Sequence, residues 1–330
     1  MEHGPSPGRL DRADPLANPA HIDEGDVMRT LRVALAAMVV SLMVGVLPLG
    51  VSAQTDGDEP AETTSDAARE VMVVGNLVYA TGSSPDAGNK LALVLYRPAD
   101  GSEDAPMVID VGGSELDYQA LAERGVSVFS NLNFADRSPD VLQRADPTAV
   151  RAMAEAVACA VRFARGSEYG SETAQLVLTG FSRHGGLAAH VALAGEDFDR
   201  VWEEYAASEG APPAQYECTA SEGSTRVDGL VGIAGTYDTY VGYEGLYGRD
   251  FLLEHEPELW EMLSGTVGLH PELHVRLLHG DADAAPPPEN SAAFASVLAE
   301  AGYDVELVEF AGGHYPPPEP VDEAVMELVS

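Results

Sequence analysis

The sequence predicts an α/β protein: a mostly parallel central sheet with helices on both faces and a small cap or insert region. Three observations predict it. From residue 69 onward, short apolar runs alternate with longer helical stretches. Those runs are near-continuous rather than alternating, which is the pattern of strands covered on both faces. The helical stretches carry end signals, such as Pro147 at the start and Gly166 at the end of one long amphipathic segment.

In order, strands are expected over Val71–Tyr79, Leu91–Arg97 and Met107–Val111, the last stopping at Gly112-Gly113. A helix over Leu116–Arg124 is closed by Gly125, and a strand follows over Val126–Asn131. The long helix is Pro147–Arg165, then a strand Leu176–Thr179 and a helix Arg183–Ala194. Strands at Leu230–Ile233, Val275–Leu278 and Val305–Phe310 complete the sheet, with helices at Glu289–Ala301 and Val321–Val329. Two stretches interrupt this rhythm. Residues 195–227 are acidic and read as loop-rich, and residues 235–270 are rich in aromatics: Tyr237, Tyr240, Tyr243, Tyr247, Phe251 and Trp260. Insertions at strand C-terminal ends form lids or pocket walls; packing of a cap onto the body is the plainer alternative.

The N-terminal part reads as a leader. Residues 1–27 are rich in Pro, Gly and charge and look like an upstream extension of a start at Met28. Met28–Arg32 is basic, Val33–Ala53 is uncharged and mostly apolar, and Val51-Ser52-Ala53 places small residues at a cleavage site. Together, residues 28–53 read as a secretory signal, with a membrane anchor through 33–53 as the alternative. Residues 54–68 read as an acidic linker and 69–330 as the main domain. Export permits a Cys159–Cys218 disulfide; two unpaired thiols are the other possibility.

Composition narrows the function. The 330 residues hold 18 Lys+Arg against 54 Asp+Glu, a formal charge of −36, of which residues 54–330 retain −34. That excludes nucleic acid and anionic membrane surfaces as partners, since both need a basic footprint. With 45% hydrophobic residues the chain is not an acidic disordered tail. Two cysteines exclude a disulfide-dense scaffold and a cysteine zinc cluster. The oligomeric state is not readable from the sequence.

Chemistry gathers at the strand ends. Leu176–Thr179 runs into Gly180-Phe181-Ser182-Arg183-His184-Gly185-Gly186, a strand-to-helix turn that would push the Ser182 hydroxyl above the sheet. The Arg183 N–H and the helix N-terminus then face a developing oxyanion. His184 stands where the usual Gly-x-Ser-x-Gly turn has its second glycine, so it must point away from the crowding or the turn must be one residue longer. Asp283, on the loop after Val275–Leu278, can orient an imidazole, whereas Asp281 reads as a turn residue. His314, on a Gly-flanked loop after the last strand, can act as base. Gly113, with Ser114 next to it as runner-up, can supply a second oxyanion N–H. The other histidines show no metal-ligand spacing, His279 reads as a structural hydrogen-bonding residue, and no dinucleotide or Walker motif occurs.

The chain order Ser182, Asp283, His314 is that of α/β-hydrolases. Over about residues 75–328 the chain resembles that superfamily, in particular its bacterial secreted carboxylesterase/lipase-like branch of feruloyl-esterase and hormone-sensitive-lipase type. The resembling segments are Leu91–Asp100, Val111–Gly113, Val157–Gly170, the Ser182 turn, Val227–Asp238, His279–Asp283 and Gly313-His314. The family pattern would have His at Val111 and Gly at Ser114 and His184; the missing His removes a hydrogen bond that braces the loop. The resemblance implies a secreted serine hydrolase that cleaves small-molecule carboxylic esters through a Ser182–Asp283–His314 triad and an acyl-enzyme, with Gly113 and Arg183 as oxyanion donors and no cofactor or metal. A peptidase or polyester depolymerase on the same fold, and a non-catalytic binding module that kept it, are the alternatives.

Overall fold

The computed structural model describes residues 69–82, 90–101, 104–130, 132, 147–207, 212–237 and 257–330, all within one compact unit, Thr64–Ser330. The stretches read as an upstream extension, a signal (28–53) and a linker (54–68) lie outside the described residues, as do Asn131, Tyr240, Tyr243, Tyr247 and Phe251.

Nine strands form one sheet among the described residues: β1 (Val71–Gly82), β2 (Lys90–Pro98), β3 (Met107–Asp110), β4 (Ser127–Ser130), β5 (Leu176–Phe181), β6 (Tyr216–Cys218), β7 (Gly229–Ile233), β8 (His274–Gly280) and β9 (Asp304–Phe310). Their spatial order is β6-β1-β2-β4-β3-β5-β7-β8-β9. β6, β1, β2 and β4 pair antiparallel with one another, and from β4 through β9 every pairing is parallel. The parallel strands β3, β4, β5 and β7 are buried along their whole length, which explains their unbroken apolar runs. β9, at the edge, alternates exposed and half-buried positions instead.

The helices are α1 (Tyr118–Glu123), α2 (Pro147–Gly166), α3 (Arg183–Ala194), α4 (Phe198–Ala206), α5 (Pro257–Ser264), α6 (Pro288–Glu300) and α7 (Pro318–Leu328). They cover the sheet on two sides. One core joins Val157 and Phe163 of α2, Leu193 of α3, Trp202 of α4 and Phe294 of α6 to strand residues such as Ile109 and Leu178. The other joins Leu121 of α1 and Val321, Val325 and Leu328 of α7 to Val128, Val177 and Val231. Alternate strand residues therefore serve opposite cores, as the two-residue period requires.

Residues 195–227 depart from the loop-rich expectation. α4 buries Phe198, Val201, Trp202 and Tyr205, an i, i+3, i+4, i+7 stripe, against the body. β6 then adds an edge strand to β1. A disulfide, Cys159–Cys218, ties α2 to β6 with the two Cα atoms 4.9 Å apart. Among its described residues, α4 packs on the body and β6 closes one sheet edge. No described helix is long and apolar enough to cross a membrane.

Candidate active site

The C-terminal ends of β3, β5, β8 and β9 converge on one region. β5 runs into α3 at Ser182, whose φ of 55° and ψ of −123° are those of the first central residue of a type II′ turn. A side chain is uncommon there, because its Cβ crowds the backbone. Backbone bonds hold the turn: the Ser182 N–H donates to Ile233 O (2.8 Å), and the Ser182 carbonyl accepts from Gly185 (3.0 Å) and Thr236 (3.2 Å). The crowded spot is Gly180, where a methyl would collide with the His184 carbonyl oxygen. His184 resolves the departure from the usual turn by facing away: its ring lies against Gly112 of the loop after β3. α3 begins with Arg183, one residue after the serine.

β8 and β9 bring an acid and a histidine together. His314 Nδ1 and Asp283 Oδ2 are 2.7 Å apart, with the carboxylate buried and the imidazole partly accessible. Asp283 Oδ1 accepts the Ala285 N–H (2.9 Å). Nδ1–H therefore points at the carboxylate, and Nε2 is the other ring nitrogen, directed away from that bond. Asp281 also has a defined task, since its Oδ1 accepts the Gly312 N–H (3.0 Å) and ties down the histidine loop. That loop packs so closely on β8 that a side chain at Gly280 would strike the Gly312 and Gly313 carbonyls.

His279 is fully buried behind Asp283, with Nε2 3.0 Å from Pro286 O and 3.2 Å from Asp283 Oδ2. Both oxygens only accept, so Nε2 carries the proton. Nδ1 then accepts from the Ser291 hydroxyl at 2.6 Å. His279 thus braces Asp283 from behind.

The loop after β3 carries Gly112 and Gly113, whose backbone groups are bonded differently. The Gly112 N–H is committed to Asp110 Oδ1 (2.9 Å), and the Gly112 carbonyl accepts from Phe181 (3.1 Å). The Gly113 N–H, at φ 71°, donates to none of the described residues. Ser114 beside it is fully buried. Sequence reasoning missed Asp110, a buried acid whose second oxygen accepts the Tyr118 hydroxyl (2.5 Å). Burial pushes the Asp110 carboxyl above its ordinary range, and burial together with the Asp110 charge raises the Tyr118 phenol. This pair braces the loop that lacks a histidine at Val111. The signal lay in an acid closing an apolar strand two residues before Gly112, with a tyrosine on the next helix.

Ser182, Asp283, His314, Gly113 and Arg183 thus lie on the turn and loops at the ends of neighbouring strands, and Asp283 and His314 are hydrogen-bonded. The Ser182 hydroxyl forms no hydrogen bond with His314. Tyr237 is fully buried and stacks on Phe294 (centroids 4.2 Å apart), and Trp260 packs against the core. Among the described residues no group of three or more His, Cys, Asp or Glu side chains gathers as metal ligands.

No protein-family model matches the sequence, and no curated protein matches it. Solved structures do. A thermophilic esterase from the Planctomycetes species Thermogutta terrifontis superposes over 80% of this chain and 92% of its own, at 19% identity and a TM-score of 0.50. Esterase B from Lactobacillus rhamnosis covers 78% of this chain and 85% of its own, at 19% identity and a TM-score of 0.50. The chain has the α/β-hydrolase fold. A bifunctional GH43-CE protein from Bacteroides eggerthii matches 81% of this chain over 35% of its own, at 17% identity and a TM-score of 0.50. In an α/β-hydrolase sheet the turn after β5 and the loops after β8 and β9 open on one side, where Ser182, Asp283 and His314 are found.

Proposed function

We propose that the protein is a serine hydrolase of carboxylic esters. The observation that carries this reading is the short His314–Asp283 hydrogen bond on loops neighbouring a serine held at positive φ between a buried strand and a helix. Such strain persists where the surrounding structure enforces it, and it clusters at functional sites. The esterases among the structural neighbours support the same bond type.

In this mechanism the Ser182 Oγ attacks the ester carbonyl carbon while His314 Nε2 takes the hydroxyl proton. The tetrahedral oxyanion is stabilised by the N–H groups of Gly113 and Arg183 and by the N-terminus of α3. Collapse breaks the bond to the alcohol, and His314 gives its proton to the departing alcohol oxygen. Water then attacks the acyl-enzyme, its proton passes to His314, and the acid leaves as the proton returns to Ser182. Asp283 keeps His314 in the Nδ1–H tautomer and stabilises the imidazolium. Hydrogen bonds between nucleophile and base are often loose before substrate binds, which accommodates the unformed Ser182–His314 contact.

The Cys159–Cys218 bridge fits an oxidising compartment and so supports secretion of this enzyme. Hydrolysis of short-chain p-nitrophenyl esters tests the reading. Ser182→Ala, Asp283→Asn and His314→Gln should each lower kcat by on the order of 10⁴-fold or more while remaining folded. Activity that persists in the folded Ser182→Ala protein would refute it, and a folded wild-type chain inert towards every ester would favour a non-catalytic module.

A further inference from the structure

Large hydrophobic side chains are exposed at three positions among the described residues, Met72, Val73 and Tyr315, and Tyr315 is the most exposed at 71%. Its position is unusual. It follows His314 directly, and the two rings meet edge-on at 5.5 Å and 75°. Its own ring stacks on Phe181 at 5.2 Å and 30°. Phe181 precedes Ser182, lies 4.6 Å from the His314 ring, and packs beneath Gly113. Gly113, Phe181, His314 and Tyr315 therefore form one continuous surface beside the serine. Phe181 props one face of the Tyr315 ring, and the ring is largely open to solvent.

We propose that Tyr315 is the binding platform for the alcohol portion of the substrate, and that it takes a flat, neutral, ring-bearing alcohol. The inference rests on the triad reading above. When the acyl-enzyme forms, His314 Nε2–H protonates the departing alcohol oxygen, so that oxygen must come within hydrogen-bonding reach of the imidazole. The carbons attached to it then lie near the rings that flank His314, Phe181 and Tyr315, of which Tyr315 is the exposed one. An aromatic face rewards an apolar ring face laid against it, whether the ring belongs to an aryl alcohol or to a pyranose sugar. Neutrality follows from the formal charge of −36, which disfavours phosphorylated or sulfated alcohols. An aliphatic alcohol of two carbons is too small to use the platform.

The test compares acetate esters that share one acyl group: ethyl acetate, benzyl acetate and a mono-acetylated methyl glucoside. Wild type, Tyr315→Ala and Tyr315→Phe are assayed on the full secreted chain, with the melting temperature as a control for folding. For each ester, the variant-to-wild-type ratio of kcat/KM cancels its intrinsic reactivity. In Tyr315→Ala the loss for at least one ring-bearing ester should exceed the loss for ethyl acetate by about 5–10-fold, chiefly in KM, and Tyr315→Phe should restore most of it. Loss confined to benzyl acetate assigns an aryl alcohol, and loss confined to the glucoside assigns a sugar. Equal change for all three esters overturns the platform while leaving the triad intact. Ester hydrolysis that survives Ser182→Ala overturns the triad reading itself.

Discussion

Replacing Ser182 by glycine should stabilise the protein while abolishing its activity. Ser182 sits at φ 55° and ψ −123°, where a Cβ is opposed by the neighbouring backbone. A non-glycine residue held in so sparsely populated a region costs about 1–3 kcal/mol. Glycine removes that cost and loses about 0.5–1 kcal/mol through the greater freedom of the unfolded chain. The Ser182 hydroxyl has no hydrogen bond to a described residue, so its deletion subtracts little. The net gain is about 1 kcal/mol, or roughly 2–4 °C in melting temperature for a domain of this size. Ser182→Ala is the control, because it deletes the same hydroxyl and keeps the Cβ. Thermal and urea unfolding of the three proteins should rank Ser182→Gly above Ser182→Ala, with Ser182→Ala close to wild type. A glycine variant that melts at or below the alanine variant would refute the claim that the turn stores strain.

Three further outcomes follow from buried and charged groups. His190 is buried against Phe198 and Trp202, and burial lowers its pKa to about 4. The unfolded chain protonates this group near pH 6.5 and the native one only near 4, so stability should fall with acidification by about 1.4 kcal/mol per pH unit across that window, about 3 kcal/mol in all; His190→Leu should remove that slope in denaturation curves. Removing the Cys159–Cys218 bridge, which closes a separation of 59 residues, should cost about 4 kcal/mol in chemical denaturation and spare activity below the transition, because β6 lies at the far sheet edge from β8 and β9. With a formal charge of −36, the melting temperature should rise between low salt and about 1 M NaCl; an unchanged value would show that self-repulsion is not limiting.

Most of the sheet was legible because its parallel strands are short apolar runs set between helical stretches. Leu176–Thr179 and Arg183–Ala194 bracket the turn with Ser182 between them, and the helix emerges with those same bounds. The strand itself continues through Gly180 and Phe181, since the Ser182 N–H still reaches β7. α4 was legible in principle: its buried stripe is in the sequence, but the acids between those residues masked it. β6, three residues long, owes its pairing to β1 and has no period of its own to read. Within the site, Asp283 and His314 were readable from their places after strands. The brace from Asp110 to Tyr118 and the direction of the His184 ring were not, because both depend on how the loop after β3 folds back over β5.

In the proposed mechanism, Ser182 is a nucleophile activated by His314. Reaction of the full chain with a fluorophosphonate probe, followed by intact mass and peptide mapping, tests it most directly. One adduct per chain is expected, on the peptide that contains Ser182, lost in Ser182→Ala and strongly slowed in His314→Gln. An unmodified wild-type protein, or equal labelling of the wild type and Ser182→Ala, would contradict it.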